Sequence, residues 1–204
     1  MKKMRAVSRL SMVLLACVQA VAGRAAQPSP PFPGLLGMPM TEALKTDFFT
    51  FFRLVETSRQ PAGASTIVTF KPSGADFRQL VTLQATVTDQ QLVGLRLELA
   101  RKFISGSQGV FANDIAKSFL ADGPPRADRT ALELLVNEIQ SNAGTLVLRG
   151  KETPPVPARE SDGYLAYLGR KQAYSQKLTA CSLHMEHVKQ NDEEWLQIQL
   201  TPTL

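Results

Sequence analysis

Apolar residues at helical spacing predict an amphipathic helix between residues 41 and 55. The apolar positions would share one face, and they are Leu44, Phe48, Phe51, Phe52 and Val55. Thr41 is the expected N-cap, and Phe49 lies off the apolar face. The polar face carries charges of both signs, whereas a helix lying on a membrane has a cationic polar face. The pattern therefore favours packing of these phenylalanines in a core.

Beyond Gly63 the period changes from helical to alternating, which predicts β-strands. Alternating or β-branched residues run through 67–71, 80–88 and 95 to about 104. Short turns, such as the one at Pro72-Ser73-Gly74, separate these runs. Consecutive strands joined by short turns pair as an antiparallel meander.

The second half of the chain predicts three helices, a short strand and a C-terminal hairpin. The serines and glycines at 105–109 separate the meander from the first of these helices. The first helix has Phe111, Ile115 and Phe119 on its apolar face, and the second is capped by Asp128 and ends at 142–144. A strand at 145–149 and a helix from Ser161 or Asp162 to Leu178 follow. The hairpin comprises 182–189 and 195–201 and turns at Asn191-Asp192.

These elements predict a single α+β domain over residues 41–204. Its core would be a mostly antiparallel sheet of about six strands, with about four helices packed largely on one face. Residues 152–160 are rich in proline and form a possible internal linker. A helix followed by antiparallel strands occurs twice, each time after a proline-rich stretch, so an internal duplication is an alternative to an ordinary α+β arrangement.

The first 22 residues have the layout of a secretory signal peptide, with a cationic start followed by a short apolar run. Ala20-Val21-Ala22 would direct cleavage before Gly23. Leu14-Leu15-Ala16-Cys17 resembles a bacterial lipobox, so lipidation at Cys17 is the alternative. Residues 23–40 then form a proline-rich tether. The apolar run is too short to span a bilayer, which requires about 20 residues.

Charge and cysteine content narrow the setting of the mature chain. The first 22 residues contain four of the 23 Lys and Arg and none of the 18 Asp and Glu, which leaves 19 cations against 18 anions. This balance argues against a nucleic-acid partner. Cys181 alone remains as a free thiol, so no intramolecular disulfide is expected. We expect the periplasm of a Gram-negative bacterium, or its outer membrane if Cys17 anchors the chain there.

Two motifs are weak candidates for a metal site and for a catalytic serine. Cys181-Ser-Leu-His-Met-Glu-His187 contains zinc-type ligands, but His184 and His187 would lie on opposite faces of a strand, so we predict no metal site and no cofactor. Ser107 lies between a predicted strand and helix as in a nucleophile elbow, with Asp162 and His184 or His187 as partners. The elbow is broken because Ser105 replaces its first glycine.

A tyrosine-rich stripe is the preferred binding site. Tyr164, Tyr167, Lys171 and Tyr174 recur at spacings of three, four and three along the last predicted helix, where tyrosines beside a cation form an adaptable contact surface. We therefore expect a non-catalytic binding or assembly protein, whose partner is another envelope protein or an envelope ligand. Alternatives are the same binding role in a lipoprotein anchored at Cys17, a serine hydrolase using Ser107, and a periplasmic inhibitor or immunity protein.

Overall fold

A single antiparallel sheet organises the fold. The computed structural model describes residues 34–147 and 160–203. Its strands are β1 (Leu54–Ala62), β2 (Ser65–Pro72), β3 (Val81–Thr88), β4 (Gln91–Ala100), β5 (Ala173–Lys177), β6 (Cys181–Gln190) and β7 (Glu193–Pro202). They pair in the order β1-β2-β3-β4-β7-β6-β5. Two meanders, β1 to β4 and β5 to β7, therefore meet where β4 pairs with β7.

Six helices lie within the described ranges, packed largely on one face of the sheet. They are α1 (Met40–Ala43), α2 (Asp47–Phe51), α3 (Arg101–Ser105), α4 (Gly109–Asp122), α5 (Arg126–Val147) and α6 (Asp162–Tyr167). The predicted α+β class with a mostly antiparallel sheet is confirmed, with seven strands in place of about six. The predicted N-terminal segments before residue 34, including Cys17, and the linker up to residue 159 lie outside the described residues.

Alternation along the central strands divides the sheet into a buried face and an open face. On β7, Leu196, Ile198 and Leu200 are fully buried, while the intervening Gln197 and Gln199 are partly exposed. The period of two in a strand places these two sets on opposite sides. Leucines of β4 extend the buried face across the junction of the two meanders, because β4 pairs with β7 over six residue pairs.

The segment before α1 is part of the core. Leu35 and Leu36 are buried, and their backbone N–H groups donate to the carbonyls of Asp122 and Gly123 at 2.8 and 2.9 Å. Gly34 has a φ of +115°, and a Cβ built there would lie 2.0 Å from the Pro124 carbonyl oxygen. The described end of the proline-rich stretch is therefore held against the α4–α5 connection.

The predicted helix over 41–55 is wrong, since two short helices and the start of β1 occupy that region. The interruption lies at Thr46, which has an extended backbone and whose hydroxyl donates to the Ala43 carbonyl at 2.6 Å. This break shifts the helical phase. Phe48 and Phe49 are buried as a result, whereas Phe51 is exposed. Core packing of the phenylalanines is thus correct for only part of the segment.

Two predicted elements near the C-terminal meander are also wrong. The helix α5 runs through Val147, so residues 145–147 are helical and do not begin a strand. The next helix begins with Ser161 as its N-cap, as predicted, but ends at Tyr167 and not at Leu178. Residues 173–177 form the edge strand β5 instead.

The end of α6 has a local cause at Gly169, whose φ is +70°. The Arg170 N–H donates to the Leu165 carbonyl at 2.8 Å, and the Gly169 N–H donates to the Ala166 carbonyl at 3.0 Å. These two bonds form a Schellman motif, which ends a helix with a left-handed residue.

Candidate functional site

Nine phenylalanines lie in the described residues, and all belong to two networks of ring contacts. The first network comprises Phe48, Phe49, Phe51, Phe52, Phe70 and Phe119, with ring centroids 5.0–6.1 Å apart. The second links Phe77 to Phe103 at 5.6 Å and to Phe111 at 5.5 Å. Most aromatic rings of the described residues thus lie in these two networks.

A groove of about 310 Å³ separates the two networks. We call it the phenylalanine groove. Its lining residues are Phe51, Phe52, Arg53, Pro72, Gly74, Phe77, Val81, Phe103, Phe111 and Ile115. They come from the end of α2 and its connection to β1, the facing ends of β2 and β3 with the loop between them, α3 and α4, so only the folded chain brings them together.

Two aromatic rings at this groove are largely exposed. Phe51 is 75% exposed and Phe111 is 57% exposed. Single exposed apolar residues are ordinary, but exposed apolar surface that is contiguous marks binding sites. Phe103 is buried in the same groove, and Phe52 and Phe77 are partly buried, so the exposed rings border an apolar cavity.

Arg53 is the single charged residue among those that line the phenylalanine groove. Its side chain is exposed, and within the described part of the chain it has no ion pair or side-chain hydrogen bond. The site therefore combines an apolar wall with one uncompensated guanidinium.

A second recess, of about 380 Å³, lies on the other side of Phe51 and Phe52 and has acidic walls. We call it the acidic recess, and it is lined by Asp47, Phe48, Thr50, Phe51, Phe52, Ser118 and Asp122. The pKa of the Asp122 carboxyl is raised, mainly by burial and also by the nearby Asp47, and Arg129 offsets part of this increase. The recess is thus lined by two carboxylates, with Arg129 close to Asp122, whereas the phenylalanine groove is lined by one guanidinium.

The predicted tyrosine stripe is not a single helical face. Tyr164 and Tyr167 lie on α6 and are buried, with rings stacked at 6.5 Å. The Tyr167 hydroxyl donates to Asn113 Oδ1 at 2.5 Å, and the side chain has no exposed surface. Lys171, in the following turn, is paired with Asp162, and Tyr174, on β5, donates to Gln176 Oε1.

Burial accounts for the electrostatics of these tyrosines. It raises the pKa of Tyr164 to about 12 and also raises the pKa of Tyr167 and Tyr174. Each phenol is held in its neutral form by the low polarity around it. Such packed rings support the core, and the binding role of the stripe stays a prediction without support from these contacts.

The two histidines lie on opposite faces of β6, as the spacing predicts. His184 Nδ1 is 2.7 Å from Ser175 Oγ, and its Nε2 is 3.7 Å from a Glu186 oxygen. His187 Nε2 donates to the Ala166 carbonyl at 2.7 Å, and its Nδ1 lies 3.1 Å from a Glu194 oxygen. Within the described ranges no group of three or more ligands is arranged to hold a metal ion.

The serine hydrolase alternative has little geometric support. Ser107 is exposed in the loop before α4, and it is not among the described partners of either histidine. Ser175, His184 and Glu186 place a hydroxyl, an imidazole and a carboxylate together. The 3.7 Å separation exceeds hydrogen-bond distance, and the His184 and Glu186 side chains are each 41% exposed. The serine hydrolase alternative, with Ser107 and His184 or His187, stays an untested hypothesis.

The open face of the sheet has a shallow polar hollow of about 280 Å³ around Gly94. Its cation, Arg96, donates to Gln84 and lies 3.3 Å from a Glu98 oxygen. The guanidinium is therefore already compensated by neighbours within the sheet. This distinguishes it from Arg53 and makes the phenylalanine groove the stronger candidate site.

The sequence pattern does not indicate the phenylalanine groove, because it predicts a continuous helix over 41–55. The available signal was Thr46, a β-branched residue that favours extended backbone, before four phenylalanines within five residues. Comparison of the chain with protein-family models, curated proteins and solved structures found no match. Among the helices of the described ranges, none has both the length and the apolar character needed to cross a bilayer.

Proposed function

We propose that this protein is an exported, non-catalytic binding module of the cell envelope whose ligand site is the phenylalanine groove. The observation that carries the proposal is the exposure of Phe51 and Phe111 beside an apolar cavity. Small-molecule sites are mostly apolar concavities of roughly 300–1,000 Å³ with a few polar groups. A groove of about 310 Å³ with one arginine fits the lower end of that range.

The envelope setting comes from the N-terminal sequence. A signal peptide over residues 1–22 would export the chain to the periplasm, and lipidation at Cys17 would instead anchor it in the outer membrane. Both ways of processing the N-terminus leave the same binding domain. The intact mass of the mature protein separates them, since cleavage before Gly23 and an acyl adduct on Cys17 give different masses.

Binding of the neutral apolar dye Nile red tests the groove. The purified full chain should bind one equivalent saturably. Phe111→Ser should weaken binding up to about tenfold, because the ligand would cover the exposed part of this ring and complete burial of a phenylalanine contributes roughly 1.5–3 kcal/mol. Phe51→Ser should act in the same direction. Both residues are exposed, so the thermal midpoint of unfolding should change little.

Leu134→Ser is the matched control, because Leu134 is 64% exposed on α5 and does not line the phenylalanine groove. Its dye affinity should equal that of the unchanged protein. Equal affinities in all three serine variants would place the apolar site elsewhere and reject the phenylalanine groove as the ligand site.

A further inference from the structure

We infer that the phenylalanine groove binds a single-chain amphiphile with a carboxylate headgroup, and that Arg53 contacts that carboxylate. This inference rests on the proposed function, because it names the ligand class of the same groove. It follows from the charge of Arg53, from its backbone conformation, and from the charges on the two sides of Phe51 and Phe52.

The guanidinium of Arg53 is available to a ligand. Several surface cations of the domain are paired, as in Arg59–Glu56, Arg170–Glu160 and Lys102–Glu193, whereas Arg53, Arg78, Arg126 and Lys177 have no ion pair among the described residues. Of these four, Arg53 is the one that lines the phenylalanine groove, whose other lining residues are uncharged. A guanidinium presents a planar fork of donors that matches a carboxylate.

The backbone of Arg53 is held in an unusual conformation. Its φ is +48°, in the left-handed region that favours glycine. The other described non-glycine residues with positive φ, Asp89, Gln90, Asn191 and Asp192, form the two-residue turns of two β-hairpins. Arg53 instead joins α2 to β1, where its side chain borders the groove. Strained residues of this kind cluster at ligand-binding sites.

Charge also gives the ligand one orientation. The lining of the acidic recess contains Asp47 and Asp122 and no cation, so it favours an anionic headgroup less than the groove does, although Arg129 beside Asp122 reduces the repulsion. Arg53 attracts the same headgroup on the groove side. The small volume of the groove, about 310 Å³, suits one hydrocarbon chain better than a lipid with two.

Displacement of Nile red by three amphiphiles of equal chain length tests this inference on the purified full chain. The probes are decanoate, decan-1-ol and decyltrimethylammonium. Decanoate should bind about three- to fivefold more tightly than decan-1-ol, because an exposed ion pair adds a small gain that high salt screens. Decyltrimethylammonium should bind most weakly.

Variants at Arg53 isolate the headgroup contact. Arg53→Met and Arg53→Gly should lower decanoate affinity to that of decan-1-ol and leave decan-1-ol unchanged, while Arg53→Lys should keep most of the preference. Glycine accepts the positive φ, so Arg53→Gly should fold even if Arg53→Met does not. Arg126→Met, which removes an exposed cation outside the groove, should behave like the unchanged protein.

The experiments distinguish failure of the carboxylate inference from failure of the proposed function. If decanoate and decan-1-ol bind equally, and Phe111→Ser weakens both, the groove is the site but the carboxylate inference is overturned. If Phe111→Ser weakens neither, the proposed function fails and the inference fails with it. If decanoate is preferred but Arg53→Gly has no effect, another cation holds the headgroup and Arg53 is the wrong residue.

Discussion

At the scale of single residues, Asp128 is the most connected polar side chain of the core. It is buried, and its two carboxylate oxygens accept from the backbone N–H groups of Thr179, Ala180 and Cys181, each at 2.9 Å. Burial raises the pKa of Asp128, but these hydrogen bonds and one from the Cys181 thiol outweigh it and leave the pKa lowered. The same surroundings raise the pKa of Cys181 to about 12.

Removal of the Asp128 carboxylate should destabilise the fold. Asp128→Ala removes the acceptor of three N–H groups, of which that of Cys181 belongs to a buried residue and those of Thr179 and Ala180 to exposed ones. It should cost about 1–3 kcal/mol, the usual cost of one unsatisfied buried group. Asp128→Asn keeps one acceptor oxygen and should cost less. Urea unfolding at pH 7 measures the free energy of unfolding of both variants.

Because the pKa of Asp128 is lowered in the folded state, the stability of the fold should depend on pH. Its stabilising contribution is present above the ordinary aspartate pKa of about 3.9 and is lost as the pH falls through the lower folded-state value. Between pH 6 and pH 3, Asp128→Asn should therefore lose less stability than the unchanged protein. Equal losses would contradict the assigned role.

At the scale of elements, the start of α6 is held by a contact from another helix. The Ser161 hydroxyl accepts from the Tyr164 N–H at 3.1 Å, and Glu138 of α5 accepts from both the hydroxyl and the N–H of Ser161. The side chain of Glu138 is buried between the two helices. One serine thus serves as helix cap and as the link between α5 and α6.

Loss of this cap should lower stability by about 1 kcal/mol in Ser161→Ala, the usual value for an N-cap. The midpoint of thermal unfolding should fall by about 2–4 °C for a domain of this size. Glu138→Gln should show a non-additive effect with Ser161→Ala in a double-mutant cycle, because the two residues share hydrogen bonds.

Ser105→Ala provides the comparison for this cap. Ser105 donates only to the Arg101 carbonyl of its own helix, so its removal should change the midpoint little. Additive effects of the Glu138 and Ser161 substitutions would contradict the shared network.

Element ends were predictable where a local signal was used. Ser161, one of the two predicted caps with Asp162, is recognisable because its side chain acts within its own turn. Gly169 is an equally local signal for the end of the same helix, but the tyrosine spacing continues through it and favours a longer helix. The partners of Asp128 lie more than 50 residues away, so no local pattern indicates them.

At the scale of the whole molecule, the central strands were predictable and the edge strands were not. The strands β2, β3, β6 and β7 have one buried and one open face, which gives their sequences the alternation that reveals them. β1 is exposed along most of its length and contains a bulge and Pro61, both common at edges. The phenylalanine groove depends on elements that only tertiary packing brings together.

The two meanders should nevertheless unfold as one unit. Leu97 of β4 and Ile198 of β7 are opposite each other at the junction and are both fully buried. Leu97→Ala should therefore lower the stability of the whole domain by about 2–5 kcal/mol. Trp195, on β7 opposite Ala100, reports on the junction by fluorescence, and far-UV circular dichroism reports on all elements.

Urea unfolding followed by both signals should give coincident transitions in the unchanged protein, and Leu97→Ala should shift them together. Leu134→Ala, at an exposed position on α5, should shift neither by more than about 0.5 kcal/mol. Transitions that separate would mean that each meander has its own stability. A core shared across β4 and β7 requires that neither meander persists when the junction is weakened.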